Sequence, residues 1–176
     1  MLLHKHKITL FIVGLGAFIA LLLLGVYSQL SGAEVKSTVR QFPIQQVTTL
    51  LQQQVLKPES LLRQDYQLVN VWASWCGICR SEHPFLNQLA KHGVPIVGLN
   101  YRDKRSQALN YLDDLGNPYQ EIIYDPSGKF SIDLGVIGTP ETYLIDRKGD
   151  VVAKFSGELD EKSWDRFFAS YFGLKG

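Results

Sequence analysis

Apolar residues along the chain follow two spacings, and their alternation predicts an α/β fold. Short runs rich in Val, Ile and Leu are typical of buried strands, and they occupy residues 67–73, 94–100 and 120–124. Between them, residues 76–92 and 103–115 carry apolar side chains at helical spacing and end at Gly93 and Gly116, as helices commonly do. Helices between buried strands predict a sheet covered by helices.

Hairpin signals flank this central unit. Residues 42–56 predict a hairpin at the edge of the sheet, and strands 142–146 and 151–156 enclose a turn at 147–150. Asp160 caps a last helix, whose predicted apolar face comprises Trp164, Phe167, Phe168 and Tyr171. The hairpins add antiparallel strands, so the domain is predicted to be an α/β sandwich around a mixed sheet.

The first forty residues have a different pattern. Ile8 to Tyr27 contain no charged residue, and at about 1.5 Å per residue a helix of this length spans the roughly 30 Å of a bilayer core. Lys5 and Lys7 precede the apolar stretch and orient the N-terminus to the cytoplasm. We therefore predict a cytoplasmic segment at 1–7, a transmembrane anchor at 8–28, a tether at 29–40 and a folded domain at 41–176.

A cleaved signal peptide is the alternative to this anchor. Ser31-Gly32-Ala33 offers small residues of the kind that a signal peptidase reads. However, the apolar region is longer than the roughly 7–15 residues usual in signal peptides, which favours a retained anchor. On either interpretation the domain lies outside the cytoplasm, where disulfides form and persist.

Composition and charge disfavour one class of partner. Eighteen basic and 17 acidic residues leave a net charge of +1, and the hydrophobic content of 45% is that of a globular protein. A nucleic-acid-binding surface needs a concentration of basic residues. The small basic cluster of Arg102, Lys104 and Arg105 is more typical of a solvated surface, so no nucleic-acid partner is expected.

The candidate chemistry lies in Trp75-Cys76-Gly77-Ile78-Cys79, which holds both cysteines of the chain. The motif follows a predicted strand and opens a predicted helix, so Cys76 is expected near a helix N-terminus. Free N–H groups and the helix dipole favour an anion there. A thiolate at Cys76 is the nucleophile of disulfide exchange, and Cys79, one turn later, can resolve the mixed disulfide.

Three structural interpretations compete with redox exchange. Zinc requires four ligands, and only histidines remain to complete such a site: His4, His6, His83 and His92. A structural disulfide that closes so short a loop removes little entropy from the unfolded chain. A pair of inert buried thiols is disfavoured because a Trp-Cys step at a strand–helix junction indicates a surface. No metal is therefore expected.

Two features beyond the cysteines bear on the site. Thr139-Pro140 precedes a predicted strand, where a cis bond would turn the Thr139 backbone outward to bind an extended peptide; a trans proline on an edge strand is the alternative. Glu82 lies three residues after Cys79. A desolvated carboxyl there has a raised pKa and can exchange a proton with Cys79, and a plain surface glutamate is the alternative.

Trp-Cys-x-x-Cys with a downstream Thr-Pro resembles the thioredoxin superfamily. Further motifs resemble its CcmG/DsbE branch, which comprises membrane-anchored proteins of cytochrome c maturation, and they lie at 79–84, 98–103, 115–119 and 133–146. The similarity covers about residues 66–160. The chain departs from the branch at Gly77-Ile78, where Pro-Thr is common, at Ile137, often Tyr, and at Thr139, often Ala.

The resemblance implies a thioredoxin-like mixed sheet flanked by helices, with an N-terminal transmembrane helix. It implies that Cys76 attacks, Cys79 resolves and Trp75 shields the pair. Glu82 and Glu141 match acidic residues around the site, and Thr139-Pro140 matches the cis-proline loop that binds substrate. No cofactor is implied apart from the redox-active disulfide between the two cysteines.

The resemblance also implies a role. It predicts a protein of the bacterial inner membrane whose C-terminal domain lies in the periplasm. A membrane thiol reductase would supply electrons, and apocytochrome c, through its haem-binding Cys-x-x-Cys-His, or another maturation protein would accept them. Two alternatives are a general ResA/TlpA-like thiol–disulfide oxidoreductase, including one that oxidises its substrates, and a non-catalytic module that docks apocytochrome.

Overall fold

The structure, a computed structural model, describes residues 15–16 and 41–174. The predicted anchor at 8–28 lies outside these residues except for Leu15 and Gly16, and the predicted segments 1–7 and 29–40 lie outside them entirely. No helix within the described ranges is long and apolar enough to cross a membrane. The chain divides into two units, Met1–Glu34 and Val35–Gly176, and the second contains the described domain.

Within residues 41–174, seven strands form one mixed sheet in the order β2-β1-β5-β4-β3-β6-β7. They are β1 (Val47–Thr49), β2 (Val55–Leu56), β3 (Tyr66–Trp72), β4 (Ile96–Tyr101), β5 (Glu121–Asp125), β6 (Glu141–Asp146) and β7 (Val151–Ser156). The central strands β3, β4 and β5 are parallel, whereas β1, β2, β6 and β7 pair antiparallel. The predicted mixed sheet is therefore confirmed.

Four α-helices accompany the sheet in the same range. They are α1 (Gly77–Lys91), α2 (Arg105–Leu115), α3 (Lys129–Leu134) and α4 (Glu161–Phe167), with 3-10 turns at Pro58–Leu61 and Ala169–Tyr171. Asp160 caps α4 as predicted, and its side chain accepts from the Ser163 N–H at 2.8 Å. Because an α-helix needs buried contacts along one stripe to be stable, these helices lie against the apolar faces of the sheet.

Two helix boundaries differ from the predicted ones. The second helix begins at Arg105 rather than Asp103, because the Asp103 carboxylate accepts hydrogen bonds from the Ser74 N–H and from the side-chain amide of Asn100. The last helix ends at Phe167, so Tyr171 belongs to a separate 3-10 turn and not to the predicted apolar face. There its ring lies 5.1 Å from that of Tyr66.

Alternation along β3 separates the two faces of the sheet. Leu68 and Trp72 belong to the core cluster that includes Leu86 of α1. Val69 and Val71 belong to the cluster on the other face, which includes residues of α3. The side chain of Asn70 lies on the same face as those of Leu68 and Trp72. A buried amide therefore faces α1 a few residues before the cysteine motif.

Gly98 makes room for the stacked rings beside this amide. Trp72 and Tyr119 stack with ring centroids 5.6 Å apart. A Cβ atom at Gly98 would lie 3.0 Å from Trp72 Nε1 and 3.0 Å from the Tyr119 ring, which is closer than most Cβ contacts in folded proteins. Both rings are buried in the core cluster, so they would have to shift against packed neighbours to admit the added atom.

We predict that Gly98→Ala lowers the free energy of unfolding by about 1–3 kcal/mol, the usual loss on overpacking a core. Urea denaturation of the oxidised protein measures it. The matched control is Gly77→Ala, whose added Cβ would meet nothing within 4 Å at a helical position that favours alanine. An equal loss of stability in the two variants would contradict this account of the core.

Candidate active site

Cys76 lies between the end of β3 and the start of α1. It is the N-cap residue of α1, and its Sγ atom accepts a hydrogen bond from the Cys79 N–H at 3.1 Å. The placement predicted for the motif is therefore observed. Cys76 and Cys79 form a disulfide with an S–S distance of 2.08 Å. Hydrogen bonding to sulfur at a helix N-terminus favours the thiolate form once the disulfide is reduced.

The two cysteines differ in access to solvent. Cys76 keeps 6% of its surface exposed and Cys79 only 1%, so a partner's sulfur reaches Cys76 first. Exposed apolar side chains surround the approach: Trp75 is 58% exposed and Ile78 is 53% exposed. Cys76 therefore exposes a small part of its surface beside exposed apolar side chains. It is less exposed than the sequence suggests, but a partner can still reach it.

The turn before Cys76 is fastened by Asp103, which is 7% exposed. Its carboxylate accepts from the Ser74 N–H at 2.6 Å and the Ser74 hydroxyl at 2.7 Å. It also accepts from the Asn100 side-chain amide at 3.0 Å and the Lys104 N–H at 2.7 Å. Asp103 therefore ties the loop after β4 to the turn that presents the nucleophile.

Trp75 is held by the same loop. Its indole Nε1 donates to the Arg102 carbonyl at 3.1 Å, while most of the ring remains exposed. Sequence reasoning did not single out Asp103. A signal for it exists, because β3 and β4 are parallel neighbours and the residues that follow their carboxyl ends meet at one edge of a sheet.

The Thr139–Pro140 loop lies beside the cysteine motif. The Thr139–Pro140 peptide is cis. β6 begins at Glu141, which pairs with Val71 near the end of β3, so the loop borders the segment that leads into Cys76. Within residues 41–174 the Thr139 backbone makes no hydrogen bond, and Ile137 on the same loop is 81% exposed. The loop thus presents free backbone groups and an apolar side chain.

Glu82 is buried on α1, on the same side as Cys79. Its Oε1 accepts from Asn70 Nδ2 at 2.9 Å, and its Oε2 accepts from the Leu159 N–H at 2.8 Å. Burial raises the pKa of the Glu82 carboxyl to about 7, although these two hydrogen bonds oppose the shift. The surface-glutamate alternative is excluded, and the group titrates near neutrality one helical turn from Cys79.

Asn70 extends this polar cluster across the sheet. Its Oδ1 accepts from the Tyr119 hydroxyl at 2.9 Å, and its Nδ2 also donates to Thr142 Oγ1 at 3.2 Å. Burial, with a smaller contribution from the charge of Glu82, raises the pKa of Tyr119 well above its ordinary range. The cluster therefore contains one group that titrates near pH 7, and that group is Glu82.

A second tyrosine and a histidine complete the floor of the site. The Tyr111 hydroxyl donates to the Cys79 carbonyl at 2.9 Å. His83, a candidate zinc ligand from the sequence, is buried with its Nε2 2.8 Å from the Gly116 carbonyl. Its ring packs edge-on against Tyr111 at 5.0 Å, and burial lowers the pKa of His83. His83 is therefore part of the core.

Glu141 lies on the opposite face of the sheet from Glu82. Its side chain lies on the same face of the sheet as those of Val71 and Tyr143. Its Oε2 forms an ion pair with Lys154 Nζ at 3.0 Å. The resemblance implies that both glutamates lie around the site, and in the structure they lie on opposite faces of the sheet. Lys154 is a second residue that sequence reasoning missed.

Known proteins are similar to this chain in sequence and in fold. Residues 35–167 match the Redoxin family. The thiol:disulfide interchange protein DsbE of Haemophilus influenzae is 43% identical over 69% of this chain and 67% of its own length. DsbE of Vibrio cholerae is 40% identical over 82% of this chain and 77% of its own. A thio-disulfide isomerase structure from Thermus thermophilus has a TM-score of 0.59 at 25% identity, covering 72% of this chain and 91% of that chain.

The titration of Glu82 predicts how stability depends on pH. Its pKa is about 7 in the folded protein against an ordinary 4.5, so unfolding releases a proton between these values and the free energy of unfolding falls as pH rises through that window. At about 1.4 kcal/mol per pH unit, the shift corresponds to about 3 kcal/mol. Glu82→Gln removes this group, so we expect the decline to be largely absent from the variant.

Urea titrations at pH values between about 4 and 8 measure this difference between wild type and variant. Glu161→Gln is the matched control because Glu161 is exposed on α4, and it should keep the wild-type slope. Parallel stability profiles for wild type and Glu82→Gln would show that the Glu82 carboxyl does not titrate near neutrality in the folded protein.

Proposed function

The chain belongs to the Redoxin family and is a thiol–disulfide oxidoreductase related to the DsbE proteins, and we propose that it reduces disulfides during cytochrome c maturation. The observation that carries this proposal is the hydrogen bond from the Cys79 N–H to Cys76 Sγ, with Glu82 buried one turn away. This arrangement stabilises a thiolate at the accessible cysteine and places a proton acceptor near the buried one.

In the proposed first step, the Cys76 thiolate attacks one sulfur of the substrate disulfide. A bond forms between Cys76 Sγ and that sulfur, the substrate S–S bond breaks, and the second substrate sulfur leaves as a thiolate that takes a proton from water. The Trp75 and Ile78 side chains supply apolar contact, and the free Thr139 backbone groups pair with the substrate chain.

In the second step, the Glu82 carboxylate accepts the proton of the Cys79 thiol. The resulting thiolate attacks Cys76 Sγ, the mixed disulfide breaks, and the first substrate sulfur leaves as a thiolate. Two electrons have then passed from the cysteine pair to the substrate, and Cys76 and Cys79 share the disulfide seen here. A dithiol of a membrane reductase restores the thiols by the reverse exchange.

The substrate and the location follow from the sequence resemblance to the CcmG/DsbE branch. The proposed acceptor is the oxidised Cys-x-x-Cys-His segment of apocytochrome c or the disulfide of another maturation protein. The apolar segment at 8–28 would anchor the chain in the bacterial inner membrane, with the domain in the periplasm. A docking module without turnover would leave the accessible disulfide at a helix N-terminus unexplained.

A general extracytoplasmic oxidoreductase of ResA/TlpA type is the second candidate. It is favoured by Gly77-Ile78 between the cysteines and by Thr139 before the proline, because intervening residues influence thiolate stability and therefore the reduction potential. Equilibration of the cysteine pair with glutathione measures this potential. A strongly oxidising pair would favour the second candidate, since it would not donate electrons to most protein disulfides.

We predict that Cys76→Ser abolishes reduction of a Cys-x-x-Cys-His peptide disulfide, because the attacking sulfur is absent. The matched variant Cys79→Ser should still attack and should accumulate the mixed disulfide, which mass spectrometry detects. An unaffected rate in Cys76→Ser, or a mixed disulfide formed through Cys79 in that variant, would contradict the proposed roles.

We also predict a pH dependence for the resolving step. The Glu82 carboxylate accepts a proton only when ionised, so release of peptide from the preformed mixed disulfide should slow about tenfold per pH unit below about 7. Single-turnover measurements across this range should show the inflection in wild type and lack it in Glu82→Gln, which should be slower at pH 8. The same inflection in Glu82→Gln would assign the proton transfer to another group.

A further inference from the structure

We propose that Lys154 and Glu141 are positioning residues whose buried ion pair holds the Thr139–Pro140 loop in the shape that binds substrate. The inference rests on the proposed reductase function, because it assigns the substrate-binding geometry of that site to two residues that touch neither cysteine. It also gives Glu141 a role different from that of Glu82.

The pair is almost completely removed from solvent. The side chains of Lys154 and Glu141 are 2% and 3% exposed, and Lys154 Nζ lies 3.0 Å from Glu141 Oε2. Lys154 comes from β7, which lies at the edge of the sheet beside β6. A charged residue that points inward from a strand is expensive to desolvate unless a partner and further hydrogen bonds compensate it.

Those further bonds converge on one loop. The Lys154 ammonium also donates to the Gly135 carbonyl at 3.0 Å, and Gly135 is the residue at which α3 ends. The same ammonium therefore contacts the start of the loop through Gly135 and its end through Glu141. In addition, the Ile137 N–H donates to Glu141 Oε1 at 3.3 Å, so the carboxylate also holds the middle of the loop.

The remaining contacts fix the carboxylate itself. Glu141 accepts from the Tyr143 hydroxyl at 2.8 Å and from Ser156 Oγ at 3.2 Å. Lys154 Nζ lies 5.1 Å from the centroid of the Tyr143 ring, within the range of a cation–π contact. Both charges are thus committed to fixed partners on the face opposite Cys79. This geometry suits the rigid positioning of Ile137 to Pro140 and does not suit proton exchange with a cysteine.

Lys154→Met tests this assignment, because it keeps the aliphatic stem and removes the ammonium. We expect kcat/KM for a Cys-x-x-Cys-His peptide disulfide to fall about tenfold to a hundredfold, mainly through KM, since a small displacement of binding groups has effects of this size. Oxidation of the reduced protein by the small linear disulfide 2-hydroxyethyl disulfide should be unchanged, because it does not need the loop. The reduction potential should also be unchanged.

Lys148→Met is the matched control, since Lys148 is exposed on the turn between β6 and β7, and it should behave as wild type. Lys154→Arg, which keeps a cation that can contact both ends of the loop, should recover much of the peptide activity. An unaltered KM in a folded Lys154→Met protein, or a parallel loss with the peptide and 2-hydroxyethyl disulfide, would overturn the positioning role.

A double variant, Glu141→Gln with Lys154→Met, covers the case in which the single substitution unfolds the protein by leaving a buried carboxylate unpaired. It removes both charges and should fold, with the same selective rise in KM. Unfolding of both variants would assign the pair to global stability and overturn the proposal.

If wild type reduces the disulfides of insulin but not the Cys-x-x-Cys-His peptide, the proposed substrate is wrong, and insulin then serves as the substrate in the same comparison.

Discussion

A single hydrogen bond, from the Cys79 N–H to Cys76 Sγ, sets the geometry on which the rest of the site depends. It exists because β3 ends and α1 begins within a few residues, so the first turn of the helix closes on the sulfur. The stacked core around Trp72 holds β3, and Asp103 holds the turn before Cys76. These contacts keep an ordinary thiol at a position where backbone N–H groups stabilise negative charge.

The two buried glutamates, Glu82 and Glu141, have different polar partners, and we assign them different roles for that reason. Glu82 has neutral donors from Asn70 and from the backbone of Leu159, so desolvation prevails and its pKa rises to about 7. Glu141 instead forms an ion pair with the ammonium of Lys154 at 3.0 Å. The sheet separates them, which places the titrating carboxyl under the cysteines and the ion pair under the Thr139–Pro140 loop.

Much of this arrangement could be predicted from sequence, because local patterns determine it. The order of strands and helices followed from apolar spacing, and the position of Cys76 at a helix N-terminus followed from the step between a strand and a helix. Glu82 could be assigned to the side of Cys79 because three residues make one helical turn. The resemblance to the CcmG/DsbE branch agrees with relatives that are 40–43% identical.

The remainder depends on strand register and on long-range contacts, which sequence patterns do not specify. Glu141 faces away from Glu82 because it pairs with Val71, and a shift of one residue would have reversed its side. Lys154 turns inward on β7 beyond an irregularity in the pairing near Leu144. Tyr119 reaches the site from a loop whose path no periodicity describes.

The pH dependence of alkylation of Cys76 in the reduced protein tests the central claim most directly. Iodoacetamide reacts with the thiolate, and peptide mapping identifies the modified cysteine. We expect Cys76 to be the modified residue, with a half-maximal rate at a pH well below the ordinary thiol value of about 8.5. Preferential alkylation of Cys79, or a midpoint at or above about 8.5 for Cys76, would contradict the account.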